Sequence, residues 1–164
     1  MNETTNETIQ NLEGNWPRAG VGVLLIDEFG RVLLTLCKLP PEAGCWSILG
    51  GKVDFLEPLE ACAIREAHEE AGVEIAIERL LCVTDHRLPR EGQHWVSPAF
   101  LGRIVRGNAR NCEPHKTREV RWFSLDQLPA NLTMTAHNAV YAYSRTLSQR
   151  RVDGSVGRDT PPRS

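Results

Sequence analysis

Between Gly50 and Val73 the chain reads G-G-K-V-D-F-L-E-P-L-E-A-C-A-I-R-E-A-H-E-E-A-G-V, and its acids stand at spacings that chemistry can use. From Pro58 to Ala71 the pattern predicts a helix: Pro58 suits a first helical position, Glu60 favours the positive N-terminal end and Gly72 is a natural stop. On that helix Glu66, Glu69 and Glu70 fall at i, i+3 and i+4, so their carboxylates share one face. Like charges so placed cost a helix roughly 0.2 to 0.5 kcal/mol per pair, and a cation would relieve them. Oxygen ligands without clustered His or Cys suit a hard ion. Mg²⁺ in particular binds through a few carboxylates and keeps waters or substrate phosphates as its other ligands, which points to phosphate chemistry. Arg65 either pairs with Glu69 four residues on or reaches back toward the preceding loop, and in both cases holds an acid in place. A glutamate-rich helix is also the ordinary make-up of a solvated face, and the acids alone do not separate the two readings.

Spacing across the whole segment does separate them. Gly51, Glu57 and then Arg65-Glu66-x-x-Glu69-Glu70-x-Gly72, followed by apolar Val73, resemble the signature of the Nudix hydrolases at every charged and glycine position. Ala67 stands where a larger aliphatic residue is usual, and Leu49 of Trp46-Ser47-Ile48-Leu49-Gly50-Gly51 stands where proline is common. The resemblance implies an α/β fold, the Nudix-type α/β/α sandwich with a mixed β-sheet flanked by helices, over residues 17–148. It implies a site in which Glu57, Glu66, Glu69, Glu70 and the main-chain carbonyl of Gly50 hold Mg²⁺, with Mn²⁺ as a substitute, and in which Arg65 orients the acids. Glu66 or Glu70 would be the general base, or Glu113 through a water, with Glu119 the second candidate from the distal loop. The R-A-G-V-G-V start and the Glu113-Pro114-His115-Lys116 stretch also resemble the MutT-like branch that converts nucleoside triphosphates, oxidised or modified ones included, to monophosphate and pyrophosphate. The alternative in the same reaction class is ADP-ribose or another nucleoside-diphosphate-linked substrate. A non-catalytic nucleotide sensor would usually have lost one or more of these acids, and all are present.

The elements that must position this segment are legible as well. Residues 18–26 predict a strand, Asp27 to Gly30 a turn and Arg31 to Cys37 a returning strand, which together read as a hairpin. Cys45 to Ile48 predicts a short strand that delivers Gly50 and Gly51 to a loop. Val73 to Val83 reads as a strand, and Leu80 to Leu88 and Gln93 to Val105 as a long hairpin in which Pro98 argues for an edge or a bulge. Glu119 to Ser124 reads as a strand, Leu125 to Pro129 as a helical turn, and Met134 to Gln149 as a helix burying Ala136, Val140, Tyr143 and Leu147. On the first helix the expected stripe is Ile64, Ala67 and Ala71, with Cys62 and Ala63 beside it.

Substrate contacts are expected from Arg18, Gly20, Gly51, Lys52, His86 and Trp95. Glycine inside a strand often marks a close approach by a ligand or another backbone. An aromatic face stacks any nucleobase for roughly 1 to 3 kcal/mol, although a Trp is as readily core and a His as readily surface.

Composition bounds the rest. A chain of 164 residues with 41% hydrophobic and 24% charged residues and a net charge of -2 describes one ordinary globular domain, and no basic excess argues for a stable nucleic-acid partner. The first sixteen residues have no basic start and no apolar core, and read as an arm (1–16) rather than a secretory signal. Residues 149–164 are rich in Arg, Gly, Pro and Ser and read as a disordered tail. Five cysteines with no C-x-x-C pair read as buried free thiols in a reducing cytoplasm. No run approaches the roughly 18 apolar residues of a membrane span. A homodimer is expected from the resemblance.

Overall fold

In a computed structural model of the chain the described residues are 16–155. The element order is β1 (Arg18–Leu25), β2 (Val32–Cys37), β3 (Trp46–Ser47), β4 (Leu49–Lys52), α1 (Leu59–Ala71), β5 (Glu74–Leu88), β6 (Gln93–Arg106), β7 (Thr117–Phe123) and α2 (Met134–Ser155). A four-stranded mixed sheet runs β4-β1-β6-β5, with β1 and β6 parallel, and a three-stranded antiparallel sheet runs β3-β2-β7. The mixed sheet expected is the four-stranded one, and a second, antiparallel sheet accompanies it.

β1 is buried from Gly20 onward because helices cover both its faces, so it reads as a continuous apolar run rather than an alternation. Val21, Val23 and Leu25 pack toward Cys62, Ala63, Ala67 and Ala71 of α1. Leu24 packs on the opposite side with Ile48, Trp46 and Ala136, Ala139 and Val140 of α2. The small residues along α1 let the helix lie close on the sheet, and Ala67, in the slot where a larger side chain is usual, is fully buried. Ile64, expected in that stripe, is 41% exposed; Cys62 and Ala63, two and one residues earlier, take the core-facing positions instead. On α2 the stripe holds Ala136 and Val140 and also Ala139, while Tyr143 is only partly buried.

Several expected boundaries shift for identifiable reasons. Pro58 has extended backbone and is the N-cap, so α1 begins at Leu59. β1 and β2 do not form a hairpin ladder: they meet at the single bridge Ile26↔Val32 and then diverge into different sheets. Asp27 organises the turn between them, its Oδ1 accepting the N–H groups of Phe29 and Arg31. Gly50 and Gly51 lie inside β4, paired with Gly22 and Val21, not on a loop beyond a strand. Leu49, where proline is common, is fully buried and pairs with Val23, so the strand continues through it.

β5 is one strand with register shifts. Pro98 lies in β6, which is interior to the sheet, close to the shift between Leu80 and Cys82. Residues 125–129 form a turn closed by Gln127 N–H to the Ser124 carbonyl, not a helical turn. α2 continues past Gln149 to Ser155, since a helix can extend on backbone hydrogen bonds after its apolar stripe ends. The rest of the expected tail and all of the expected arm but Trp16 lie outside the described residues. The five cysteines are free thiols, but only Cys62 is buried and the others are half-buried. No helix among the described residues is long and apolar enough to cross a membrane.

Candidate active site

The acids of α1 point to where β4 runs beside β1. Gly50 donates its N–H to Glu70 Oε2 at 3.0 Å, which fixes the last acid of the helix against the strand. Glu66 lies directly against Gly51: a Cβ there would stand 2.3 Å from its Oε1. Glycine at that position leaves the carboxylate the space a side chain would fill.

Arg65 does both things foreseen for it. Its Nε and one terminal nitrogen bind Glu57 Oε1 and Oε2 at 2.7 and 2.9 Å, a bidentate pair that reaches back to the loop before the helix. The other terminal nitrogen binds Glu66 Oε1 at 2.8 Å and Glu69 Oε2 at 3.2 Å. The Lys52 carbonyl accepts from Arg65 at 3.3 Å, so one guanidinium fastens β4, the loop and α1 together. Glu57 also accepts the Asp54 N–H. Hydrogen bonds from Arg65 and Asp54 hold the Glu57 carboxyl down at about 2.

The distal acid arrives by helix capping. The last carbonyls of α1 need partners, and the loop after β6 supplies them: Cys112 N–H bonds the Glu70 carbonyl and Arg110 N–H the Ala71 carbonyl. That docking places Glu113 beside Glu70 although 43 positions separate them along the chain. Glu113 Oε1 accepts from Lys116 Nζ at 2.8 Å, while its Oε2 is buried with no partner. Burial pushes the Glu70 carboxyl up to about 8, opposed by the Gly50 N–H and reinforced by Glu66 and Glu113. Burial also raises Glu66, against the pull of Arg65. Lys116 was not anticipated as a site residue; it is raised chiefly by its hydrogen bond to Glu113 and also feels Glu66 and Glu70. Its place three residues after Glu113 was the available signal. Glu119 stays outside the cluster, tied to Arg121 on β7.

A metal was expected here, and the donor set fits one. Among the described residues no three His, Cys, Asp or Glu side chains already form a cage, because Arg65 draws Glu57, Glu66 and Glu69 into ion pairs. The unpartnered Glu113 oxygen and the repulsion that Glu66 and Glu113 exert on Glu70 nonetheless leave a demand that a cation would meet. A hard divalent ion that shares its ligands with water and phosphate needs only a few such oxygens.

A groove of about 260 Å³ adjoins the acids, lined among others by Gly20, Gly51, Lys52, His86 and Trp95. His86 and Trp95 are directly opposed across β5 and β6 and so share a face; His94 falls on the other face and pairs with Asp85 at 2.7 Å. Arg18 does not line the groove but packs over the Trp95 ring, 5.4 Å from its centroid. Gly20 is needed against Trp95 and Ser97, since a Cβ would meet Ser97 Oγ at 2.8 Å. A second chamber of about 220 Å³ shares Glu42, Ser47 and Gly50 with the first and extends to Glu70 and Lys116. The two together connect an aromatic wall to the acids.

The Glu70 shift makes a stability prediction for the metal-free chain. Its carboxyl binds a proton more tightly in the fold than at its ordinary value of 4.5, so its contribution is complete below that value and is lost as pH rises through about 8. Thermal unfolding of metal-stripped protein is expected to show a falling midpoint between about pH 5 and about pH 8, and Glu70→Gln a flatter profile. Parallel profiles would contradict the burial of this charge.

The NUDIX domain family matches residues 16–144. An ADP-ribose pyrophosphatase from Methanocaldococcus jannaschii is 31% identical over 107 residues, covering 64% of this chain and 61% of that protein. An oxidized purine nucleoside triphosphate hydrolase from Danio rerio is 32% identical over 111 residues, 65% of this chain and 67% of that protein. The chain thus spans less than two thirds of the first of these relatives, and 40% of an NAD-capped RNA hydrolase from Stutzerimonas stutzeri. A crystal structure of a MutT NUDIX hydrolase from Burkholderia pseudomallei matches with a TM-score of 0.72 and 44% identity, over 77% of this chain and 98% of that one.

Proposed function

The chain belongs to the Nudix hydrolase family, and from that premise we propose that it is a Mg²⁺-dependent pyrophosphohydrolase cleaving a nucleoside triphosphate, with an ordinary, oxidised or otherwise modified base, to the monophosphate and pyrophosphate. The observation that carries the reading is the meeting of Glu70, seated on the Gly50 N–H, with the orphaned Glu113 oxygen at the end of an aromatic-walled groove.

Nudix enzymes generally use divalent metals, and Glu57, Glu66, Glu69, Glu70 and the Gly50 carbonyl would hold Mg²⁺, or Mn²⁺ in its place. The ion would supply neutralisation of phosphate charge and acidification of a bound water. The chain's own residues do the rest. Trp95 offers a face for the base. Lys116 sits beside the acids, where it meets phosphate oxygens. Arg65 offsets the mutual repulsion of Glu57, Glu66 and Glu69 and holds them in place.

Glu70 is the preferred base because it is seated on the Gly50 N–H beside the orphaned Glu113 oxygen, at the acid end of the groove. It removes the proton from the attacking water as the new P–O bond forms and the bridging P–O bond breaks, and returns that proton to solvent. Glu66, or Glu113 through a water, is the alternative base. Every group named lies on one chain, so the proposal does not depend on a homodimer, which a solution mass tests separately.

The M. jannaschii relative favours ADP-ribose as the second reading. A panel of nucleoside triphosphates, nucleoside-diphosphate sugars and ADP-ribose, assayed with Mg²⁺ and with excess chelator, decides between them. Turnover is expected to be fastest with a triphosphate and to fall by ~10²-fold or more on chelation. Fastest turnover of ADP-ribose would establish the second reading, and no turnover with any divalent ion would leave a binding domain.

A further inference from the structure

The groove's lining includes a carboxylate that neither the signature nor the proposed chemistry uses. Glu42 lies in the loop between β2 and β3 and lines both chambers, on the same groove as Trp95 and His86. Its side chain is 34% exposed, and among the described residues no hydrogen bond reaches its carboxylate. Burial raises its pKa, and His86 opposes that rise. His86 Nδ1 stands 4.0 Å from Glu42 Oε1, too far for a direct hydrogen bond but close enough to favour the charged carboxylate.

Two neighbouring polar groups already have partners. Trp95 Nε1 donates to Gln93 Oε1 at 2.9 Å, which fixes the indole, and Ser47 Oγ accepts from Thr133 at 3.2 Å. A half-buried carboxylate thus shares the groove with a fixed stacking face, with its acceptors unused.

We propose that Glu42, with His86 beside it, determines base specificity by accepting from a nucleobase edge that presents two adjacent N–H donors, as guanine does with N1–H and its exocyclic amine. The inference rests on the nucleotide reading above and names the substrate within it. An ionised carboxylate accepts only. Adenine and cytosine place a ring acceptor beside their amino donor, and uracil places its one N–H between two carbonyls, so each would set an unpaired acceptor against Glu42. Sites built around a specific hydrogen bond reject analogues that lack it much more strongly than apolar pockets reject a missing methylene.

The test is equilibrium binding of GMP, IMP and AMP to the full chain without added metal. Wild type is expected to bind GMP about tenfold more tightly than AMP, with IMP, which lacks the exocyclic amine, between them. Glu42→Gln is expected to weaken GMP by about that factor while AMP stays within about twofold, and Glu42→Asp, which retracts the carboxylate, to narrow the same gap. Equal binding of GMP and AMP by wild type, an unchanged ratio in Glu42→Gln, or equal weakening of both ligands, as a contact to ribose would give, overturns the proposal. Because binding needs no turnover, Glu42-dependent discrimination without hydrolysis would sink the enzymatic reading alone. Hydrolysis with an unchanged ratio would sink this one alone.

Discussion

Glu70→Gln is expected to lower kcat by ~10²-fold or more while leaving the chain folded. Glutamine keeps the length of the side chain, and its carbonyl oxygen can still accept the Gly50 N–H that seats Glu70. The variant therefore removes a proton acceptor without opening a cavity. Burial, reinforced by Glu66 and Glu113, holds the native carboxyl at about 8, so in the metal-free chain at neutral pH a neutral glutamine replaces a largely protonated acid and the variant should be no less stable than wild type. Steady-state kinetics with a triphosphate, paired with a thermal melt, separates the two effects. Near-full activity would remove Glu70 from the chemistry and leave Glu66 or Glu113 as the base.

The two glycines of β4 are expected to fail in different ways. At Gly50 a Cβ would stand 2.1 Å from the Val21 carbonyl oxygen and 2.8 Å from Gly22 Cα, at a φ of +156°. Both obstacles are backbone of the central strand β1, which is packed on both faces and cannot retreat. Gly50→Ala is therefore expected to cost about 3 kcal/mol or more in unfolding free energy.

At Gly51 the nearest atoms are the ends of a side chain, Glu66 Oε1 and Oε2 at 2.3 and 2.7 Å. Glu66 can swing aside, so Gly51→Ala should fold and yet lose roughly tenfold or more in kcat, because a displaced carboxylate no longer stands where the reaction needs it. Denaturant unfolding and kinetics on both variants check this. A Gly50→Ala protein as stable as wild type, or a fully active Gly51→Ala protein, would contradict the β1–β4 register.

The same two residues show what the sequence could carry. The resemblance to the Nudix signature marked Gly51, Glu57, Arg65, Glu66, Glu69 and Glu70, and it could do so because helical periodicity and a fixed loop length turn sequence distance into spatial distance. The structure joins Arg65 to Glu57, Glu66 and Glu69. Periodicity could not tell that β4 continues through Gly50 and Gly51, since a strand rich in glycine has no alternation to read.

The docking of Glu113 on Glu70 was foreseen only as a ranking of two acids. It is fixed by loop N–H groups capping the last carbonyls of α1, a backbone contact with no side-chain signature. Glu42 gave no signal, because its place in the groove depends on how the loop between β2 and β3 folds over the sheet. His86 and Trp95 were expected at the substrate from their places near the hairpin turn, and the register that opposes them is visible only in the fold. Arg18 was expected at the substrate and instead supports Trp95 from outside the groove.

The most direct measurement of the central claim is phosphorus NMR of the products formed from a nucleoside triphosphate with Mg²⁺, run in parallel for wild type and Glu70→Gln. The account predicts nucleoside monophosphate and pyrophosphate in equal amounts from wild type and at most a trace from the variant. Diphosphate with orthophosphate, or the same product yield from both proteins, would contradict it.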